Sequence, residues 1–465
     1  MTGAAARGCS DDNQARVRRP NELAARSVGH LGFVPRRFVQ PGPPAAPNPE
    51  RSRSAGPWYA DAVEAFDPRR LAERQIQIDR ERTARFPFLL AHKNARMSVS
   101  PLAFLRGSAP LFYELIATTG DAERGSSPTG WIVGDAHLEN FGAFRGAPLP
   151  GERASHKVTV FGLNDFDEAR EGPWRWDVLR LATSLILAGR ELGVDGMAVL
   201  ELSERLIQSH VNSAFEGAPL LPPPAPVASL MAKVAGRSKQ ELLNDRTSQR
   251  GGQRRFVRGA RYRDLPREIA ELLPGALETY ARRLQKDEQR TAGQLEIVDA
   301  AFRIAGTGGL GALRVAVLTR GKGGPDGGWI LDLKEQLPPS SAFLLDPPLA
   351  GAARAEGAAR RLLERPPRML ASTELGASSM LVRRLTPQED KLNLQKLERA
   401  DLGPLAGHLG ALLGMAHARG APPAERRPWS KTEQSELLAR AVALAGLHEA
   451  TYLDFCLLTR STPSL

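Results

Sequence analysis

Two short polar breaks between apolar runs carry residues that could do chemistry: GDAHLEN, from Gly134 to Asn140, and NDFDEA, from Asn164 to Ala169. In the first, Asp135 and Asn140 stand five positions apart; in the second, Asp165 and Asp167 follow a predicted strand, with Glu168 beside them. Phosphoryl transfer needs this inventory: one carboxylate to orient an acceptor hydroxyl, and a carboxamide plus a carboxylate to hold magnesium on a nucleotide. Asp135 is therefore the candidate catalytic residue. Asn140, Asp165 and Asp167 are the candidate metal ligands, with Asp167 or Glu168 available to a second ion. His137 is expected to play a structural role, bonding backbone near its loop. Asp177, at the start of the following helix, is expected to act as a cap or as an anchor for the backbone of the first loop.

GTGGLG, Gly306 to Gly311, fits the pattern G-x-G-x-x-G. In a dinucleotide fold such a loop opens a helix. Here LRVAVLT follows, β-branched and alternating, and then the turn GKGGPDGG. The loop thus falls between two antiparallel strands, as in a kinase-type loop whose backbone N–H groups cover phosphates. Gly306, Thr307, Gly308, Gly309 and Gly311 are the candidate nucleotide contacts, because larger side chains would block that approach. The next strand, Trp329 to Lys334, delivers a lysine suited to the α- and β-phosphates. Glu356 or Glu364 on the following helix would hold it, Glu356 being preferred.

The elements that must position these residues alternate along the chain. Helices are expected over Trp58 to Arg85, over the later part of Phe104 to Thr119 after a loop, and over Asp195 to Phe215, Ala352 to Arg365, Leu405 to Ala418 and Glu433 to Leu458. Trp176 to Leu192 is apolar almost all round and reads as a buried helix. Strands are expected at Trp131 to Val133, Lys157 to Leu163, Ile297 to Ala305, Leu313 to Thr319, Trp329 to Lys334 and Met380 to Leu385. Leu220 to Ala228 is a proline-rich connector. Arg237 to Arg267, basic and glycine-punctuated, reads as a solvated surface loop, with an anion or single-stranded nucleic acid as the other occupants its arginines would suit.

The chain has 465 residues, enough for two or three lobes. Its net charge of +11 suggests anionic partners. Residues 1–55 hold nine arginines and four acids, hence +5, and a proline-rich run, so a disordered tail is expected there. No run of about 18 apolar residues is present, so no membrane span is expected. The N-terminus lacks an apolar signal core, and the cysteines, Cys9 and Cys456, lie far apart, as suits a reduced cytoplasm. The scattered histidines show no zinc spacing.

GDAHLENFG, NDFDEA and WRWDVLRLATS together resemble the bacterial family known as domain of unknown function 2252, as do FLRG, GTGGLG, WILDLKE, LVRRL and GMAHARG. The likeness covers roughly residues 70 to 455. That family looks like a relative of the protein-kinase-like superfamily, in the style of aminoglycoside and choline kinases, which carry a GDxHxxN loop and a later DFD or DFE. By resemblance, the catalytic aspartate falls on Asp135, the loop asparagine on Asn140 and the metal aspartate on Asp165. In ordinary kinases the glycine loop and lysine come first; here they follow by about 170 residues. The expected architecture is therefore an α+β, two-lobed, circularly permuted kinase-like fold. It has a catalytic lobe over 56–290, a nucleotide lobe over 291–390 and C-terminal helices over 391–465 that pack on the catalytic lobe. The expected activity is phosphotransfer from ATP with Mg2+ to a small-molecule hydroxyl. Nucleotidyl transfer, a binding-only pseudoenzyme and a basic nucleic-acid-binding protein are the alternatives. If the kinase reading holds, Asp135, Asn140 and Asp165 must face Lys334 and the glycine loop across one cleft.

Overall fold

Asp67 begins the first described helix by accepting a hydrogen bond from Arg69 N, with Pro68 where a missing N–H is harmless. The structure is a computed structural model; it describes residues 66–120, 128–153, 158–324, 326–345, 350–421 and 427–460. The basic segment 1–55, Cys9 and the start of the helix expected from Trp58 lie outside the described residues.

Helix α1 (Pro68–Thr83) leads to α2 (Phe88–Met97), α3 (Pro101–Gly107) and α4 (Ala109–Thr118). The loop expected at Phe104 is helical instead, because Ser100 caps Ala103 N and Pro101 occupies the first turn. Next come β1 (Thr129–Ile132), β2 (Phe141–Gly146), β3 (Val158–Leu163) and β4 (Arg170–Pro173). β1 pairs antiparallel with β4, and β2 with β3. GDAHLEN joins β1 to β2 and NDFDEA joins β3 to β4, so these two pairings set the polar loops side by side.

Helix α5 (Trp174–Glu191) is buried along nearly its whole length, as its all-round apolar pattern requires. Asp195 caps α6 (Gly196–Phe215) through Ala198 N. α7 (Ala225–Ala235) takes up the end of the proline-rich connector. The basic stretch is not a loop: it forms α8 (Lys239–Arg246), held by a Ser238–Glu241 capping box, and a hairpin of β5 (Thr247–Arg250) and β6 (Gln253–Phe256). Two of its arginines serve the fold. Arg254 reaches Asn244 and Asp326, and Arg258 reaches Asp264 and Asp299.

Beyond β7 (Tyr262–Arg263) and α9 (Leu273–Arg283) come β8 (Ile297–Arg303), β9 (Arg314–Thr319) and β10 (Trp329–Glu335). Then follow α10 (Gly351–Leu362), β11 (Ala371–Leu375) and β12 (Ser378–Arg384). Six of these strands form one antiparallel sheet in the order β11-β12-β10-β9-β8-β7. GTGGLG is the loop of the β8–β9 hairpin, as the alternation after it requires. α9 lies on β11, where Thr373 Oγ1 donates to Ala276 O at 2.6 Å and Tyr280 donates to Met369 O. The sheet and α9 share one hydrophobic core, so the β-rich part begins before residue 291.

The last described helices, α11 (Arg399–Gly420) and α12 (Lys431–Arg460), join the larger core built on α5 and α6. α11 lies flush on α6 because Gly410 and Gly414 face it: a Cβ on Gly410 would stand 2.2 Å from Leu206 O, and one on Gly414 2.5 Å from His210 O. By length and composition α12 is apolar enough to cross a bilayer, but half of that window is buried inside the fold. The whole is a mixed α+β architecture.

Candidate active site

Gly134 opens the first polar loop at a φ of +77°, and a Cβ there would strike Glu168 O at 2.0 Å. Only glycine permits this backbone and this contact, which presses the two loops together. Asn140 then clasps them. Its Nδ2 donates to Asp135 O at 3.0 Å and to Asp165 O at 3.1 Å, and its Oδ1 accepts from Asp165 N at 2.9 Å. This corrects the expectation for Asn140. Its carboxamide is engaged with backbone on both sides, so it ties the loops together rather than presenting its oxygen to a metal.

Asp177 anchors the first loop from below, accepting from Val133 N at 2.6 Å and Gly134 N at 2.8 Å. His417 of α11 bonds the same carboxylate at 3.0 Å through Nε2, and His210 of α6 meets His417 Nδ1 at 2.9 Å. All three side chains are buried. Burial, then the neighbouring His417, holds His210 well below the usual histidine range and therefore neutral.

Asp135 pairs with Arg180, which also donates to Leu105 O at 2.7 Å. Burial raises the Asp135 carboxyl, and Arg180 works against that rise. His137 Nε2 stands 3.7 Å from Asp135 Oδ2, while its Nδ1 is buried with no partner among the described residues. The expected bond from this imidazole to backbone is therefore not formed. Burial, followed by the charges of Arg106 and Lys391, keeps the ring neutral.

Lys334 reaches the second loop from the end of β10. Its Nζ lies 3.1 Å from both oxygens of Asp165 and also contacts Asp167. Burial works to raise the Asp165 carboxyl, but Lys334 outweighs it and holds the group below the usual range. Asp167 is pushed up to about 6 by burial and by the charge of Asp165. Gln336 Nε2 donates to Asp167 Oδ1 at 2.9 Å.

Glu356 does not hold the lysine. It bonds Arg360 and Ser372 N on the side of α10 that faces β11, and it does not line the cleft. The reason is register: Arg354, two residues earlier on α10, takes the position facing the site. This buried guanidinium donates to the carbonyls of Asp167, Ala169 and Leu337, so the helix grips the carboxylate loop instead of the lysine. Glu168 likewise turns away from metal chemistry, accepting from Ser340 Oγ at 2.9 Å and from Ser340 N.

The glycine loop closes over this group. A Cβ on Gly308 would stand 4.0 Å from Asp135 Oδ2; one on Gly309 would stand 3.4 Å from Lys334 Cε and 3.5 Å from Asp167 Oδ2. Gly306, Thr307, Gly308 and Gly309 line one pocket with Asp135, Asn140, Asp165, Asp167 and Lys334. Gly311, at φ +117°, is tucked against Arg82 O instead. Residues 169 positions apart in the chain thus share one cleft. Its larger arm, about 530 Å³, runs from Lys334 under the sheet toward the β12 end. The sheet side of that arm is charged: Arg303, Arg314 and Arg383 surround the buried Asp332 at 2.7, 2.5 and 3.6 Å. The segment after β12 closes the arm, with Asp390 and Ala143 of β2 exchanging backbone bonds of 2.8 and 3.1 Å.

Arg180, Arg354 and Lys391 also line or brace this site, the two arginines without any signal in the sequence. Lys391 carried only the hint of lying just beyond the strand-like LVRRL.

Two clasped polar loops, a lysine strand and a glycine hairpin thus surround one cleft of an α+β protein. The chain belongs to a family described as an uncharacterized protein conserved in bacteria (DUF2252), whose model matches residues 85–220 and 223–458, both polar loops, the glycine hairpin and Lys334 included. No curated protein and no solved structure matches it.

Proposed function

We propose that the chain is an ATP- and magnesium-dependent phosphotransferase of kinase-like, circularly permuted architecture, acting on a small-molecule hydroxyl. The observation that carries this reading is the meeting of Asp135, Asp165, Asp167, Lys334 and the glycine loop in one cleft. The order from β8 to β12 supports it as well: a glycine hairpin, a lysine strand, a helix and two further strands, as in a kinase nucleotide lobe.

The residues fit the groups invoked. Asp165 and Asp167 offer only oxygen donors, and the Asp165 side chain is half exposed to the cleft. Among the described residues no three His, Cys, Asp or Glu side chains converge on a metal position. Magnesium suits such a site, since it is commonly held by one or two carboxylates with water and phosphate completing its shell. The N–H groups of Gly308 and Gly309 and the ammonium of Lys334 suit phosphate oxygens.

When bound, magnesium ATP supplies the phosphoryl group and neutralises part of its charge. Asp135 orients the acceptor hydroxyl through Oδ2, because Arg180 occupies Oδ1. The acceptor oxygen bonds to the γ-phosphorus as the bond to the β-phosphate oxygen breaks, and the hydroxyl proton leaves toward Asp135. Asp165 and Asp167 would hold the metal, and Lys334, paired with both here, would turn its ammonium to the phosphates.

Calorimetry with ATP, with and without magnesium, tests this on wild type, Asp165→Ala and Lys334→Ala. Both substitutions should weaken binding at least tenfold, and omission of magnesium should do the same. Binding indifferent to all three changes would overturn the reading. Product mass separates the neighbouring chemistry: a gain of AMP in place of phosphate would make the enzyme a nucleotidyl transferase.

A further inference from the structure

The larger arm of the cleft is more cationic than a nucleotide triphosphate end requires. Nine arginine or lysine side chains line it, against five aspartates and glutamates. At its far end Arg145, Arg290, Arg368 and Arg384 come together from four separate segments. Arg368 has acidic partners in Glu288 and Asp287. Arg145, Arg290 and Arg384 have no carboxylate partner among the described residues. Arg290 bonds only the carbonyl of Gln289, and the Arg384 Nε is buried with no partner.

Such clustering is costly. Burial, then the charges of Arg145 and Arg290, pushes the Arg384 guanidinium down to about 10, so it stays charged at neutral pH. Burial and the neighbouring Arg368 lower Arg145 in the same way. Half-buried cations that repel one another and lack acids are arranged for an anion that arrives from outside. The groups are also oriented in advance. Arg384 and Arg290 lie over the Trp329 ring at 4.9 and 5.8 Å, which limits the freedom lost on binding. Planar guanidinium forks in this number match phosphoryl oxygens.

This end is distinct from Lys334. In the β10–β12 register Arg384 lies opposite Leu331, three residues from Lys334 along the strand. That is roughly 10 Å at the rise of a β-strand. We propose that the cleft contains a second phosphoryl-binding site, formed by Arg145, Arg290, Arg368 and Arg384 and separate from the one at Lys334.

The site does not depend on phosphotransfer, and its test is independent of magnesium and ATP. Inorganic pyrophosphate is titrated in phosphate-free buffer, read by calorimetry and by tryptophan fluorescence, with Trp329→Phe assigning the optical change. Saturable binding is expected to weaken at least tenfold in Arg145→Ala and in Arg384→Ala and to stay within threefold in Lys334→Ala. Absence of saturable binding, its persistence in the Arg145→Ala/Arg384→Ala double variant, or its loss in Lys334→Ala alone overturns the proposal. ADP and its 3′-phosphorylated counterpart then identify the source. A tenfold preference for the latter, abolished in Arg384→Ala, assigns the second phosphate to the nucleotide. Equal affinities, with pyrophosphate still bound at the arginines, assign it to a separate phosphorylated molecule, and either result supports the site.

Discussion

At the scale of single residues, the site depends on side chains that bind backbone. Asp177 satisfies Val133 N and Gly134 N and holds His417, all without solvent contact. Asp177→Ala leaves two buried N–H groups and the Nε2 of His417 unpaired. A destabilisation of about 3–5 kcal/mol is expected from the loss of one member of such a network. Urea unfolding measures it, and Asp177→Asn, which keeps the shape and one acceptor oxygen, should lose less. The two loops were legible because aspartate and asparagine gather in short polar breaks between apolar runs. Their division of labour was not. A carboxamide serves equally as a metal ligand or as a backbone clasp, and Asn140 is a clasp only because Asp165 N lies 25 positions away in sequence yet within reach. Arg354 was invisible for the same reason: its carbonyl partners at Asp167 and Ala169 lie 187 and 185 positions away.

At the scale of elements, the α6–α11 contact sets where His417 sits. Gly414→Ala would push Cβ into His210 O, so the helices must separate. A loss of about 1–3 kcal/mol is expected from overpacking, together with weaker ligand binding as His417 leaves Asp177. Gly403→Ala is the control. Its Cβ meets nothing closer than 4.0 Å, so the better helix propensity of alanine should leave the protein equally or slightly more stable. Thermal unfolding of the pair separates packing from propensity. Elements with strong periodicity or caps were legible, such as α6 behind Asp195 and the β8–β10 strands around their glycine turns. β2 was not foreseen: FGAFRG carries two glycines and no β-branched residue, and it becomes a strand only by pairing with β3 and Asp390.

At the scale of the molecule, buried neutral histidines govern acid stability. Burial lowers His448 to about 4, with its Nδ1 2.8 Å from Leu444 O and its ring against Phe104 and Phe112. The unfolded chain binds this proton near pH 6.5, the folded chain only near 4. Stability is therefore full above pH 6.5 and is lost as pH falls toward 4, by about 2 kcal/mol from this group between pH 7 and 5. His210 acts in the same direction. Unfolding free energies at the two pH values test this, and His448→Phe should flatten the slope by that amount.

The separation of Asp165 from Lys334 by 169 positions also has a temporal side. The ribosome delivers the carboxylate loops first, and the lysine emerges about 8–34 s later at rates of roughly 5–20 residues per second. His417, which steadies Asp177, arrives later still. During synthesis the two loops therefore wait as an incomplete, acidic half-site. No fragment ending before the β10 strand can hold a ligand between carboxylate and lysine. The cleft between carboxylates and lysine is completed only once β10 has been made.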